Sequence, residues 1–107
     1  MEKVWLKSYP PGVPAEIDLN EYGSLKDILE TSCARFAKRP AYTNFGHTLS
    51  YSDVDRLSAA FGAFLQHQLG VSKGDRVAIM MPNLLQYPIA LFGILRSGLT
   101  AVNVNPL

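Results

Sequence analysis

Residues 74–104 decide the fold: Gly74-Asp75-Arg76-Val77-Ala78-Ile79-Met80-Met81-Pro82-Asn83, then Leu84-Leu85-Gln86-Tyr87-Pro88-Ile89-Ala90-Leu91-Phe92-Gly93-Ile94-Leu95-Arg96-Ser97-Gly98, then Leu99-Thr100-Ala101-Val102-Asn103-Val104. Lys73-Gly74-Asp75 reads as a turn. The run Arg76–Met81 is apolar on both alternating faces, as in a parallel strand covered on both sides. Pro82-Asn83 breaks it, and Asn83 is placed to cap a helix over 84–97. Pro88 falls early in that helix, where a missing backbone hydrogen bond or a small kink is expected. Gly98 closes the helix, and residues 99–104 form a second β-rich run. Strand, helix and strand within about 30 residues make a βαβ unit, whose crossover should be right-handed.

Upstream, Ser24-Leu25-Lys26-Asp27 resembles a capping box, and Leu25, Ile28, Leu29, Cys33 and Phe36 mark one stripe of a helix ending near Arg39-Pro40. Ala41–Phe45 and Thr48–Tyr51 flank Gly46-His47 as a short hairpin. Ser52, with Asp55 three residues on, is read as the cap of a second helix. Its stripe is Val54, Leu57, Phe61, Phe64, Leu65 and Leu69, and Gly70 is placed to end it. Residues 1–23 hold Pro10, Pro11, Gly12 and Pro14 and form an extended N-terminal arm, expected to dock through Trp5, Leu6 and Tyr9.

The chain has 107 residues, 48% apolar and 18% charged, with a net charge of +1. The charge is uneven: after Arg76 only Arg96 remains, and 19 of residues 77–107 are apolar. Disorder is excluded, because disordered chains are poor in apolar residues and rich in net charge. The balance of charge argues against a general nucleic-acid binder, since no excess of Lys and Arg exists to neutralise phosphates. The N-terminus lacks the apolar region of a secretory signal. Residues 77–95 approach the length of a membrane span, but Pro82, Asn83, Gln86 and Pro88 argue against one. Cys33 is the only cysteine, which suits a reducing cytoplasm.

No constellation announces catalysis. His47 sits in the expected turn, His67 on a polar helix face and Cys33 on a buried stripe, so no metal-ligand spacing arises. Asp53 and Asp55 stand at a helix start, where carboxylates suit the dipole. Gly70-Val71-Ser72-Lys73-Gly74-Asp75 precedes a strand and lacks the phosphate-loop pattern. The turn Met81-Pro82-Asn83 lies at the carboxyl end of a strand, where open α/β sheets take ligands, but no glycine there admits a pyrophosphate.

The phrases Gly74–Asn83, Tyr87–Gly98 and Val102–Leu107 resemble the adenylate-forming, AMP-binding enzyme superfamily. Met1–Pro14 and Pro82-Asn83-Leu84-Leu85-Gln86-Tyr87-Pro88 resemble the start of its bacterial long-chain fatty-acid–CoA ligases. The resemblance covers essentially the whole chain, is most specific in 1–14 and 74–107, and is generic across 18–72. It implies a ligase using ATP, CoA and Mg²⁺ on a fatty acid. It also implies that the phosphate loop, the adenylate motif and the catalytic lysine lie beyond Leu107. Gly74-Asp75, Asn83 and Asn105-Pro106 match as scaffold. No catalytic, cofactor-binding or metal-ligating residue is therefore assigned within 1–107.

The expectation is an α/β fold: two helices and a hairpin followed by a parallel βαβ unit. Residues 24–107 would open a larger AMP-binding domain, and the isolated piece would be inactive, bind no cofactor and self-associate, a swapped dimer included. The expected place is the cytoplasm, at the periphery of the inner membrane. Two alternatives stay open: a small binding module with an apolar partner face, and an adenylate-forming enzyme for another carboxylic acid.

Overall fold

A computed structural model describes residues 2–107, so Met1 of the arm and of the family phrase lies outside the described residues. The elements are a short 3-10 turn (Val4–Ser8), α1 (Leu25–Phe36), β1 (Pro40–Asn44), β2 (His47–Ser50), α2 (Tyr51–His67), β3 (Arg76–Ile79), α3 (Gln86–Arg96) and β4 (Thr100–Asn103). β1 pairs antiparallel with β2 in one sheet, and β3 pairs parallel with β4 in the other. The α/β architecture read from the sequence is thus present, with the βαβ unit in register from Arg76↔Thr100 to Ile79↔Asn103.

Helix α3 is the centre. Its Ile94 is fully buried and meets Leu65 of α2, Ile79 of β3, and Leu99. A second cluster, Leu29, Cys33 and Val54, joins α1 to α2 and reaches Phe92 on the other side of α3. The close approach of α2 and α3 depends on small residues. A Cβ on Gly93 would lie 2.9 Å from the Ser58 carbonyl, and one on Gly62 would lie 3.0 Å from the Gly93 carbonyl. The buried stripe of α2 is Val54, Ser58, Gly62 and Leu65, whereas Phe64 and Leu69 are exposed. Large side chains alone therefore misplace that face.

Gly98 ends α3 as expected, with φ of +73°. The Leu99 amide donates to the Ile94 carbonyl at 3.2 Å and the Gly98 amide to the Leu95 carbonyl at 3.1 Å, a Schellman closure. Leu99 and Ile94 are both buried beside it, and the chain turns directly into β4.

Several local expectations are corrected. The capping box of α2 uses Ser50 and Asp53, two residues before Ser52 and Asp55. Both pairs have the same spacing, and β2 runs straight into the helix, so the earlier pair meets the free amides. The hairpin turn is Phe45-Gly46 with φ of +46° and +77°, which places His47 in β2. Two positive φ values match the twist of the flanking strands. Ser24 accepts from the Asp27 amide at α1, which stops at Phe36. Asn83 does not cap α3: its carbonyl accepts from Asn44, and the N-cap position is Leu85 with no side-chain bond. Because α3 begins at Gln86, Pro88 falls in the first turn, where its missing N–H has no intrahelical partner to lose.

Two larger expectations also change. The β3–β4 sheet is covered on one face only: Val77, Ile79 and Ala101 pack against α3, while Ala78, Met80, Val102 and Val104 are exposed. Of the three side chains expected to dock the arm, Trp5 and Tyr9 are exposed and Leu6 is half-buried, and a single 3-10 turn interrupts the arm.

Candidate functional site

A cleft of about 480 Å³ lies between the hairpin and the start of α3. Strand β1 supplies Tyr42 and Asn44, the loop after β3 supplies Leu84 and Leu85, and α3 supplies Leu91 and Phe92. This is the carboxyl end of a parallel strand, where α/β sheets bind ligands. The Asn44 side-chain amide donates to the Asn83 carbonyl at 2.7 Å and fastens the hairpin to the β3–α3 loop. The Tyr87 hydroxyl donates to Asn103 Oδ1 at 2.9 Å, tying α3 to the end of β4. No charged side chain lines the cleft. Burial is the main cause that lifts the Tyr42 hydroxyl above its ordinary pKa, with Tyr51 and then Cys33 adding to it.

A second cavity of about 190 Å³ lies behind it, lined by Ile28, Leu29 and Val54. Tyr42 and Phe92 line both cavities.

The arrangement can bind but holds no nucleophile or base. His47 and His67 are exposed and outside the cleft lining. Cys33 is buried between α1 and α2, and burial, reinforced by Asp55 against Arg96, raises its thiol pKa. Hydrogen bonds from Ser50 lower the Asp53 carboxyl, and Asp55 pairs with Arg96 at 2.7 Å. In the Gly70–Asp75 loop, the Ser72 amide donates to Asp75 Oδ2 at 2.9 Å, so the loop closes on itself ahead of β3. Among the described residues no group of three His, Cys, Asp or Glu could hold a metal ion, and no helix is long and apolar enough to cross a membrane.

Of the candidate site positions weighed in the sequence, Asn83 of the Met81-Pro82-Asn83 turn lines the cleft, and Pro88 lines it beside Leu84, Leu85 and Tyr87. Tyr42 and Asn44 lie nearly fifty positions before Leu91 and Phe92, a separation no local pattern could join.

Comparison with known proteins adds a family. Residues 29–107 match the family described as AMP-binding enzyme. The chain is 58% identical over all 107 residues to a long-chain-fatty-acid–CoA ligase of Yersinia pestis, and spans 19% of that protein's length. Among solved structures, VinN shares 30% identity and superposes with a TM-score of 0.75, over 78% of this chain and 22% of its own. The anthranilate CoA ligase AuaEII, solved with anthranoyl-AMP, shares 27% with a TM-score of 0.75, over 80% of this chain and 17% of its own.

Proposed function

Because the chain belongs to the AMP-binding enzyme family, we propose that it forms the opening scaffold of an ATP-dependent long-chain fatty-acid–CoA ligase. The observation that carries this reading is the 58% identity over all 107 residues to a ligase of that name. In such an enzyme the fatty-acid carboxylate attacks ATP, releasing pyrophosphate and leaving an acyl adenylate. The CoA thiol then displaces AMP to give the thioester. The lower identity to the anthranilate ligase, 27%, favours a fatty acid over an aromatic acid.

The described residues do not fit Mg²⁺. They present no cluster of carboxylates or histidines for it and no glycine loop at a helix start, so no step is assigned to the metal here. Their part is positional: α2, α3 and β3–β4 hold the Asn83–Leu85 loop and the cleft in place. Residues 1–107 alone should make no acyl-CoA.

A thioester assay with ATP, CoA and oleate tests the reading. A protein carrying this segment in a chain as long as its relatives should form oleoyl-CoA, and residues 1–107 alone should not. Absence of turnover in the long chain would overturn the ligase assignment. The proposal extends to a cytoplasmic location at the inner-membrane periphery, which cell fractionation checks. It also extends to self-association of the isolated chain through the bare outer face of β3–β4, with Met80 67% exposed. A monomer in light scattering at high concentration would count against that.

A further inference from the structure

The near-neutral balance of the whole chain hides a local excess. Residues 24–107 hold eight Lys and Arg against five Asp and Glu. Lys26, Arg56 and Arg96 pair with Glu30, Asp53 and Asp55, and Lys73 and Arg76 flank Asp75. The other three, Arg35, Lys38 and Arg39, fall within five positions at the end of α1, and all are exposed. They join no ion pair among the described residues. Glu30, the nearest acid along α1, is engaged with Lys26 and Arg96. A cation in the last turn of a helix offsets its dipole. That accounts for Arg35, but Lys38 and Arg39 lie past the helix.

Two of the three are held in place. The guanidinium carbons of Arg35 and Arg39 stand 5.0 and 5.3 Å from the centroid of one ring, that of Phe36. This ring is half-buried beside Tyr51, with centroids 5.8 Å apart. The backbone beneath is fastened as well. The Arg39 amide donates to the Phe36 carbonyl at 2.8 Å, the Tyr51 amide to the Arg39 carbonyl at 3.1 Å, and the Ser52 amide to the Ala37 carbonyl at 3.0 Å. A cation–π contact needs no acceptor, so the guanidinium N–H groups stay available. Among the described residues, only Arg56 and Arg96 spend theirs on protein acceptors. Pre-positioned forks suit phosphate oxygens, which they meet two at a time.

We propose that Arg35, Lys38 and Arg39 form a recognition site for a phosphate group, carried by a lipid headgroup or by a small soluble phosphate. The site stands apart from the ligase reading, since it uses neither the cleft nor the reaction.

The test compares a chain as long as its relatives with its Arg35→Gln/Arg39→Gln variant in two arms. One arm is co-sedimentation with vesicles of phosphatidylcholine, with and without phosphatidylglycerol. The other is calorimetric titration with inorganic pyrophosphate. The parent should bind in at least one arm, more weakly as salt rises, and the variant should lose about tenfold there. A loss confined to the vesicles assigns the headgroup, and one confined to pyrophosphate assigns the soluble phosphate. Lys73→Gln/Arg76→Gln removes the same charge elsewhere and should leave binding unchanged. Lys38→Gln leaves the Phe36 stack in place and should weaken binding several-fold, which keeps the test decisive if the double variant unfolds. Binding equal in the parent and the Arg35, Arg39 and Lys38 variants, or an equal loss in the Lys73 and Arg76 variant, would overturn the site.

Discussion

Arg96, at the end of α3, holds Asp55 of α2 at two points: its Nη1 donates to the carboxylate at 2.7 Å and to the backbone carbonyl at 2.9 Å. The same nitrogen lies 3.0 Å from Ser58 Oγ, and Nη2 reaches Glu30 of α1 at 3.8 Å. The single charge in an otherwise neutral C-terminal stretch therefore joins three helices. Its side chain is 18% exposed, while Asp55 is 48% exposed. Arg96→Ala should lower stability by about 2 kcal/mol, between the cost of a surface pair and that of a buried one. The check is a lower denaturant midpoint at unchanged slope, and a double-mutant cycle with Asp55→Ala should show coupling.

The α2–α3 crossing tolerates no added carbon. Gly93→Ala would place Cβ 2.8 Å from the Phe61 ring and 2.9 Å from the Ser58 carbonyl. Backbone cannot move aside as a flexible side chain can, so about 2 kcal/mol of destabilisation is expected from overpacking. Thermal unfolding of Gly93→Ala and Gly62→Ala should show similar losses.

Acid should loosen the start of α2. Bonds from the Ser50 hydroxyl and amide hold the Asp53 carboxyl below its ordinary value of 3.8. A carboxyl lowered in the folded state contributes stability that is complete above the unfolded value and lost as pH falls through the folded one. The unfolding midpoint should therefore drop as pH is taken below about 4, and Asp53→Asn should remove that part of the slope.

Cys33 should resist thiol reagents until the protein opens. It is buried, and its thiol is held above the ordinary pKa, so little thiolate is present or reachable. Labelling by an aromatic disulfide should be slow in buffer and fast in denaturant. Fast labelling of the native state would contradict the packing of α1 on α2.

The βαβ unit was legible because two short apolar runs, the breaks at Pro82-Asn83 and Gly98, and the apolar helix between them all agreed on it. The α2 cap was ambiguous in principle, since Ser50 and Ser52 each precede an Asp by three positions. Ser58 and Gly62 escaped the apolar stripe because a close helix crossing selects for smallness, which hydropathy does not measure. Asn83 looked like a cap, and only the fold reveals Asn44 beside it. The cleft was illegible for the same reason: it is a tertiary product of β1 and α3. Two-sided apolarity in β3 did report burial, though only one face finds cover within these residues.

The arm has a different fate from the body it precedes. It is held to itself by pairs such as Lys3 with Glu16 and Lys7 with Glu2, and its 3-10 turn buries no residue. Exposed chain without packing is what proteases cut first. Trypsin should therefore clip after Lys3 and Lys7 long before it reaches Arg56 or Arg96 inside the helices, and the trimmed remainder should keep its core intact. The N-terminal segment can thus be shortened, or carry a fused tag, without disturbing the packing around Ile94.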